Sequence, residues 1–273
     1  MESDNEINVN DFDSRLLAAI DDNDIHQFKT ILDECNEAYD QSDAGILEHA
    51  IDCGSLDIAE ELFRRGAKWG WQTMNSLIVS ADEYNKWNIP FIDLALEYGW
   101  DINEHYEFVG NALVCALSTA GCNIAIISHL LSNGADPNNG STYNGQSAIE
   151  IASGAVDSEK VALLLAHGAS VEGTKSLINA AGNGDVATMK LLLKHGADID
   201  GQPYEKNQVP KYINDVSWGS ALHCAAKGNH CDAIKLLLEM GATRDIKNMY
   251  GLTPVDVASR NGSTDAVRVL EHG

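Results

Sequence analysis

The main feature of the chain is a pair of short apolar segments that recurs along most of its length. In the stretch 219–249, the first segment covers residues 222–226 and the second covers residues 233–238. Apolar residues three and four positions apart indicate amphipathic helices, and the Gly-Asn dipeptide at 228–229 indicates a turn between them. Two short helices cannot bury both apolar faces alone, so the unit needs neighbours on both sides.

A glycine after each second segment marks the period of the repeat. These glycines are Gly66, Gly99, Gly134, Gly168, Gly196 and Gly241. Successive glycines stand 33, 35, 34, 28 and 45 residues apart. A glycine just past a helix adopts the left-handed conformation without the steric cost of a Cβ atom. Because a recurring period of this size is typical of repeat proteins, the sequence predicts about eight stacked helix pairs.

The repeated unit resembles the ankyrin repeat, which is about 33 residues long and carries a T-P-L-H-x-A signature. Residues 220–225 (SALHCA) match the signature best, 253–258 (TPVDVA) keep its Thr-Pro start, and 147–152 (SAIEIA) keep its outline. The resemblance covers roughly residues 12 to 273. It implies an all-α fold, in which helix pairs form a right-handed curved solenoid with finger loops at one edge. It also implies a role in binding other proteins.

Segments that depart from the repeat period indicate where the chain has its caps, its irregular repeats and its long loop. We expect residues 1–11, which are polar, to be disordered, and residues 12–273 to form a single ankyrin-repeat domain. The terminal pairs 12–39 and 250–273 are expected to act as caps, because the ends of a repeat array need a polar outer face. The third and fourth repeats are irregular, and the insertion 201–218 is expected to form one long finger loop.

The charge of the chain narrows the class of partner. The sequence has 41 acidic and 18 basic residues, for a formal net charge of −23. Contacts from Lys and Arg dominate binding to DNA and RNA, and basic segments are what anionic membranes attract. We therefore expect neither nucleic acid nor a membrane as partner. A protein with a basic surface or a neutral ligand fits better, although an acidic surface also serves solubility alone.

The cysteines indicate a reducing compartment. They are Cys35, Cys53, Cys115, Cys122, Cys224 and Cys231. No C-x-x-C pair and no metal-site spacing occurs among them, so we expect free thiols, no metal and no cofactor. The first residues lack an apolar signal segment, and no apolar run approaches the length of a membrane span. We expect a cytoplasmic protein, with the nucleus as the alternative.

Motifs of known catalytic sites are absent from the sequence. It has no G-x-S-x-G, no glycine-rich phosphate loop with Lys-Ser/Thr, and no H-E-x-x-H. His223 matches the histidine of the repeat signature, which in this family forms structural hydrogen bonds. His105 lies in a finger beside Tyr106 and Phe108, where binding and packing are equally reasonable roles.

Aromatic residues of the fingers and turns are the candidate binding surface. Four of the five tryptophans, Trp69, Trp71, Trp87 and Trp100, fall within 32 residues. Each ring has on the order of 150–250 Å² to bury, so it either packs inside an irregular repeat or lines a binding surface. We expect Trp69 and Trp100 to pack. We assign the following residues to binding: Trp71, Trp87, His105, Tyr106, Tyr143, Tyr204, Lys206 and Trp218.

Two functions from different classes fit these features. The first is a protein–protein interaction module that presents a concave, aromatic-lined surface. The second is a cofactor-independent isomerase, cyclase or lyase that encloses a small organic molecule, with His105, Tyr84, Asp82 and Lys206 as its polar groups. An enclosed pocket of a few hundred Å³ supports the second function, whereas an open face of about 800 Å² per partner supports the first. The family resemblance favours the interaction module.

Overall fold

The computed structural model describes residues 9–34, 44–79, 88–107, 109–119, 121–140, 142, 145–202 and 218–272. This part of the chain contains sixteen α-helices and no β-strand, and one isolated bridge pairs Tyr106 with Gly110. No helix in it is long and apolar enough to cross a membrane. The predicted all-α repeat fold is confirmed. The chain separates into two compact units, unit 1 (Met1–Ala135) and unit 2 (Asp136–Gly273).

Unit 1 consists of helices that pair in chain order. They are α1 (Val9–Asp21), α2 (Ile25–Glu34), α3 (Ala44–Asp52), α4 (Leu56–Arg64), α5 (Trp71–Val79), α6 (Asn88–Glu97), α7 (Ala112–Ser118) and α8 (Ile124–Ser132). Each odd-numbered helix contacts the even-numbered helix after it and the next odd-numbered helix, and the even-numbered helices contact one another in order. The helices of unit 1 therefore form two layers.

Unit 2 repeats this arrangement. Its helices are α9 (Ala148–Gly154), α10 (Ser158–Ala166), α11 (Ser176–Gly182), α12 (Val186–Lys194), α13 (Ala221–Lys227), α14 (Cys231–Glu239), α15 (Pro254–Asn261) and α16 (Thr264–His272). The odd-numbered helices again form one layer and the even-numbered helices the other. The extent of the predicted single domain over residues 12–273, with its two caps, stays a prediction.

Some predicted features lie outside the described residues. These are most of the N-terminal segment, the turn inside the third helix pair and most of the insertion 201–218.

Alanine side chains let the odd-numbered helices of unit 2 approach one another closely. Ala180 of α11 and Ala225 and Ala226 of α13 are fully buried. Leu222 and Leu192, from the two layers, are also fully buried. A buried leucine side chain contributes roughly 1.5–3 kcal/mol relative to an exposed one, so these interfaces hold the repeats together.

The predicted glycines end the even-numbered helices. All six have positive φ, between 87° at Gly99 and Gly168 and 100° at Gly66. At the end of α4, the Gly66 N–H donates to the Phe63 carbonyl and the Ala67 N–H donates to the Leu62 carbonyl. This is the Schellman arrangement, which satisfies carbonyls that the helix leaves without partners.

His223 connects two neighbouring repeats of unit 2. The Ser220 backbone N–H donates to His223 Nδ1 at 3.2 Å, which places the proton of the neutral ring on Nε2. Nε2 lies 3.0 Å from the Leu252 carbonyl oxygen and donates to it. In α9, Glu150 occupies the corresponding position and accepts from the backbone N–H groups of Ser147 and Lys175. A buried polar side chain at this position thus fixes how one repeat meets the next.

Each described turn between the two helices of a pair contains a residue in the left-handed conformation. Glycine occupies this position in several pairs, for example Gly184 and Gly262, and asparagine does so at Asn23 and Asn229. In unit 2 one turn has Val156 there instead, with φ 59°. A β-branched side chain is unfavourable in this region by roughly 1–2 kcal/mol, so Val156 is a strained position.

We expect Val156→Asn to raise the free energy of unfolding by about 1 kcal/mol, because asparagine tolerates the left-handed region. Val156 is 55% exposed, so little buried area is lost. Gly262→Val is the reverse control, since a Cβ there meets nothing within 4 Å at φ +72°. Gly262→Val should lower the free energy of unfolding by about 1–2 kcal/mol. Urea denaturation measures both changes, and equal stabilities of the wild type and Val156→Asn would contradict the assignment of strain.

We expect the stability of the chain to depend on the protonation of His223. Burial lowers the pKa of His223 below its ordinary value of 6.5, against a smaller raising effect of the bond to the Leu252 carbonyl. The unfolded chain therefore takes up this proton first as pH falls. The stabilisation is complete above about pH 6.5 and decreases below it.

Urea denaturation at a series of pH values measures this effect. The difference between the wild type and His223→Gln should shrink as pH falls below 6.5. At pH 7.5, His223→Gln should lose about 1–3 kcal/mol, because buried groups lose their partners. A pH-independent difference would contradict the role given to His223.

Candidate functional site

The structure describes half of the residues that the sequence assigns to binding. Trp71, His105, Tyr106 and Trp218 are described. The others, together with two polar groups of the proposed enzyme site, lie outside the described residues: Trp87, Tyr143, Tyr204, Lys206, Asp82 and Tyr84.

Three of the described candidates, Trp71, His105 and Tyr106, belong to unit 1. Trp71 is the first residue of α5 and is 49% exposed. His105 is exposed, and Tyr106 is half-buried with its hydroxyl donating to Glu104 Oε2 at 2.7 Å. Burial and then the bond to Glu104 raise the pKa of Tyr106 well above its usual value. Its hydroxyl therefore stays protonated at neutral pH and does not act as a base.

Four aromatic rings of unit 1 form a packed cluster between α4 and the turn after α6. Ring centroids lie 4.7 Å apart for Trp69 and Trp100, 6.2 Å for Phe63 and Trp69, and 5.6 Å for Phe63 and Tyr98. Trp100 is buried. As expected from the sequence, Trp69 and Trp100 pack: Trp69 contacts Phe63 of the preceding helix pair and Trp100 of its own.

A cavity of about 420 Å³ adjoins this cluster, and we call it the aromatic cavity. The Trp69 indole nitrogen is buried and has no hydrogen-bond partner among the described residues. The two carboxylates at the rim already accept hydrogen bonds, Asp101 from the Asn103 N–H and Glu104 from the Tyr106 hydroxyl. The cavity is therefore lined by aromatic rings on one side and by carboxylates that already accept hydrogen bonds.

Unit 2 has a groove that three glycines help to line. We call it the glycine groove; it has a volume of about 480 Å³, and Gly154, Gly182 and Gly228 line it. Gly154 and Gly182 are the last residues of α9 and α11, and Gly228 caps α13. Because the three helices stack in register, their ends bring the three glycines to one surface.

Two asparagine amides line the glycine groove. Asn179 Nδ2 donates to the Glu150 carbonyl at 3.1 Å, and Asn183 Nδ2 donates to the Gly154 carbonyl at 3.0 Å. These bonds join α11 to α9 and fix the orientation of the amides. Since no described residue donates to the two side-chain oxygens, they are available as acceptors for a bound molecule.

Trp218 lies half-buried at the edge of the glycine groove. The backbone just after it is held closely, because a Cβ atom on Gly219 would come within 2.7 Å of the His223 ring. Ser220 then caps α13 in a capping box with His223. The start of α13 thus fixes the chain from which the Trp218 ring projects.

Sequence reasoning identified Trp218 but missed the glycines and asparagines beside it. Small residues stand at the same position near the ends of successive odd-numbered helices, Gly154 in α9 and Gly182 in α11. The recurrence of glycine at this position was the sequence signal for the groove, because helix ends at equivalent positions lie side by side in a repeat stack.

A comparison with protein families agrees with this architecture. A family model described as "Ankyrin repeats (3 copies)" matches residues 113–203 and 201–273, which is more than half of the chain and includes every described residue that lines the glycine groove. Ankyrin repeats are generally protein–protein interaction modules. The paired helices, the glycine that ends each second helix and this match show that the chain belongs to the ankyrin-repeat family.

Proposed function

We propose that the chain is a protein-binding module that seats an extended segment of a partner protein in the glycine groove. The observation that carries this proposal is that Gly154, Gly182 and Gly228 line the groove together with Trp218. Glycine allows another backbone to approach closely, because it presents no side chain. Two features of the groove favour an extended peptide.

The first feature is the pair of asparagine side-chain oxygens to which no described residue donates. Asn179 lies in α11, and Asn183 caps the end of that helix four residues later, so the two side chains lie on the same side. Backbone N–H groups of an extended peptide would donate to them, and hydrogen bonds to the main chain give affinity with little dependence on sequence.

The second feature is Trp218. Tryptophan is enriched among the few interface residues that dominate binding energy, because its large ring loses water without losing much conformational freedom. A half-buried ring that lines the groove together with three glycines offers a platform for one apolar residue of the partner. Specificity would arise from this contact.

The charge of the chain favours a basic partner. The net charge of −23 attracts a positively charged protein over long range and raises its association rate, and salt screens this attraction. Within the groove, Lys227 is a cation, so the attraction comes from the surface as a whole rather than from the groove.

We also propose a cytoplasmic or nuclear location, supported by the free thiols of the five described cysteines.

A small aromatic ligand in the aromatic cavity is the second candidate. The buried Trp69 indole N–H without a described partner favours it, because a ligand oxygen or nitrogen would accept from this group. Binding, rather than the isomerase, cyclase or lyase chemistry considered from the sequence, is what this cavity supports.

We expect two substitutions in the glycine groove to weaken partner binding, one by removing a side chain and the other by adding one. Trp218→Ala removes the platform and should weaken binding by 2 kcal/mol or more, roughly 30-fold in Kd. Gly182→Leu fills the groove and should weaken it at least as much, while leucine suits a helix better than glycine. A partner is captured with the wild-type chain and purified, and its Kd for each variant is measured by isothermal titration calorimetry.

Each variant has a matched control. Trp71→Ala removes an exposed tryptophan from unit 1, and Gly182→Ala adds a Cβ atom that makes only an ordinary 3.7 Å contact with Cys224. Both should bind like the wild type, and circular dichroism checks that all four variants fold. Wild-type affinity of Trp218→Ala and Gly182→Leu, or an equal loss in Trp71→Ala, would refute the proposal.

Binding of a basic partner should also weaken as salt concentration rises.

A further inference from the structure

Three potential metal ligands meet at the ends of α1 and α3 in unit 1. Asp21 is the last residue of α1, and His49 and Cys53 lie four residues apart at the end of α3. In the part of the chain that the structure describes, this is the one group of three or more such residues with ligand atoms within 4.8 Å of one another. It lies in the other unit from the glycine groove and is independent of the proposed function.

We propose that Asp21, His49 and Cys53 bind one Zn²⁺ ion, which links the first two helix pairs. Carboxylate oxygen, imidazole nitrogen and thiolate sulfur are all ligands of zinc. Three protein ligands leave a fourth position for water. The Asp21 side chain is 62% exposed and Cys53 is also exposed, so solvent reaches this position.

The distances between the ligand atoms are close to those around tetrahedral zinc. Zinc bonds of about 2.3 Å to sulfur and about 2.0–2.1 Å to nitrogen or oxygen place sulfur about 3.5 Å from each of the other two ligand atoms. Cys53 Sγ lies 3.6 Å from Asp21 Oδ1 and 3.7 Å from His49 Nε2. The His49 Nε2 to Asp21 Oδ1 distance is 2.7 Å, a hydrogen bond, and would open by about half an ångström on metal binding.

The same geometry argues against a catalytic relay. In a nucleophile–histidine–carboxylate triad, the nucleophile and the carboxylate contact different nitrogens of the ring. Here Asp21 and Cys53 both face His49 Nε2. The Asp21 oxygen, the Cys53 sulfur and His49 Nε2 therefore surround one position. A single proton can lie there without metal, and a metal ion would take its place.

The charges at the cluster suit a divalent cation. Asp21 supplies a carboxylate oxygen at the site, and Cys53 supplies the thiol sulfur. A metal ion binds such a thiol as the thiolate and releases its proton. The charges of thiolate and Asp21 carboxylate then offset that of the ion.

A second histidine–aspartate pair in unit 1 provides a matched control. His129 Nε2 lies 2.7 Å from Asp93 Oδ1, the same distance as in the proposed site. Four residues after His129, however, the chain has Asn133, whose Nδ2 lies 3.2 Å from His129 Nε2. An amide nitrogen is not a zinc ligand, so this pair lacks the third ligand that Cys53 supplies.

The test uses the full chain, reduced and freed of metal with a chelator. Zn²⁺ is titrated in competition with a chromogenic chelator, and one ion should bind per chain. Cys53→Ser and His49→Ala should each lose more than the roughly 10–100-fold in affinity that loss of an outer-shell partner causes. His129→Ala and Cys231→Ser should bind as tightly as the wild type. Circular dichroism without metal confirms that each variant folds.

Cobalt substitution gives a second readout. Bound Co²⁺ should show a thiolate-to-metal charge-transfer band that disappears in Cys53→Ser and persists in His129→Ala and Cys231→Ser. Zinc should also raise the melting temperature of the wild type more than that of Cys53→Ser, because binding stabilises the folded state. Lack of stoichiometric binding, binding that survives Cys53→Ser and His49→Ala, or an equal loss in His129→Ala would overturn the proposal.

Discussion

No helix pair of this chain buries its apolar side by itself, and the rest of the structure depends on this constraint. Each odd-numbered helix contacts its own partner and the odd-numbered helices before and after it within its unit. Fully buried alanines such as Ala180 and Ala225 set a short distance between these helices. Stability is then approximately a sum over neighbouring interfaces. The polar bridges made by His223 and Glu150 fix the register of those interfaces.

Local features of the fold were predictable because each depends on a few adjacent residues. The glycines after the even-numbered helices have the predicted left-handed conformation, and Trp100 is buried as expected. The equivalence of Glu150 and His223 was not predictable. A carboxylate and an imidazole look unrelated in sequence, yet both accept a backbone N–H at the start of their own helix and bond to the next repeat.

The candidate sites were harder to predict because stacking, rather than sequence proximity, assembles them. Trp218 was identifiable as an aromatic residue on a long loop. Gly154 and Gly182 could be assigned to a groove only from the structure, in which their helices lie side by side. In the sequence, each glycine looks like an ordinary helix end. The Asp21–His49–Cys53 cluster shows the same effect. The sequence predicted no metal because no motif links these residues, and the contact of α1 with α3 brings Asp21 to the other two.

NMR spectroscopy of the labelled chain shows directly whether a partner occupies the glycine groove. Side-chain N–H signals of Trp218, Asn179 and Asn183 report from within the groove, and the exposed Trp71 indole reports from unit 1. Titration with a purified partner should shift the three groove signals and leave the Trp71 indole signal in place. Saturable binding that leaves the groove signals unchanged would contradict the account.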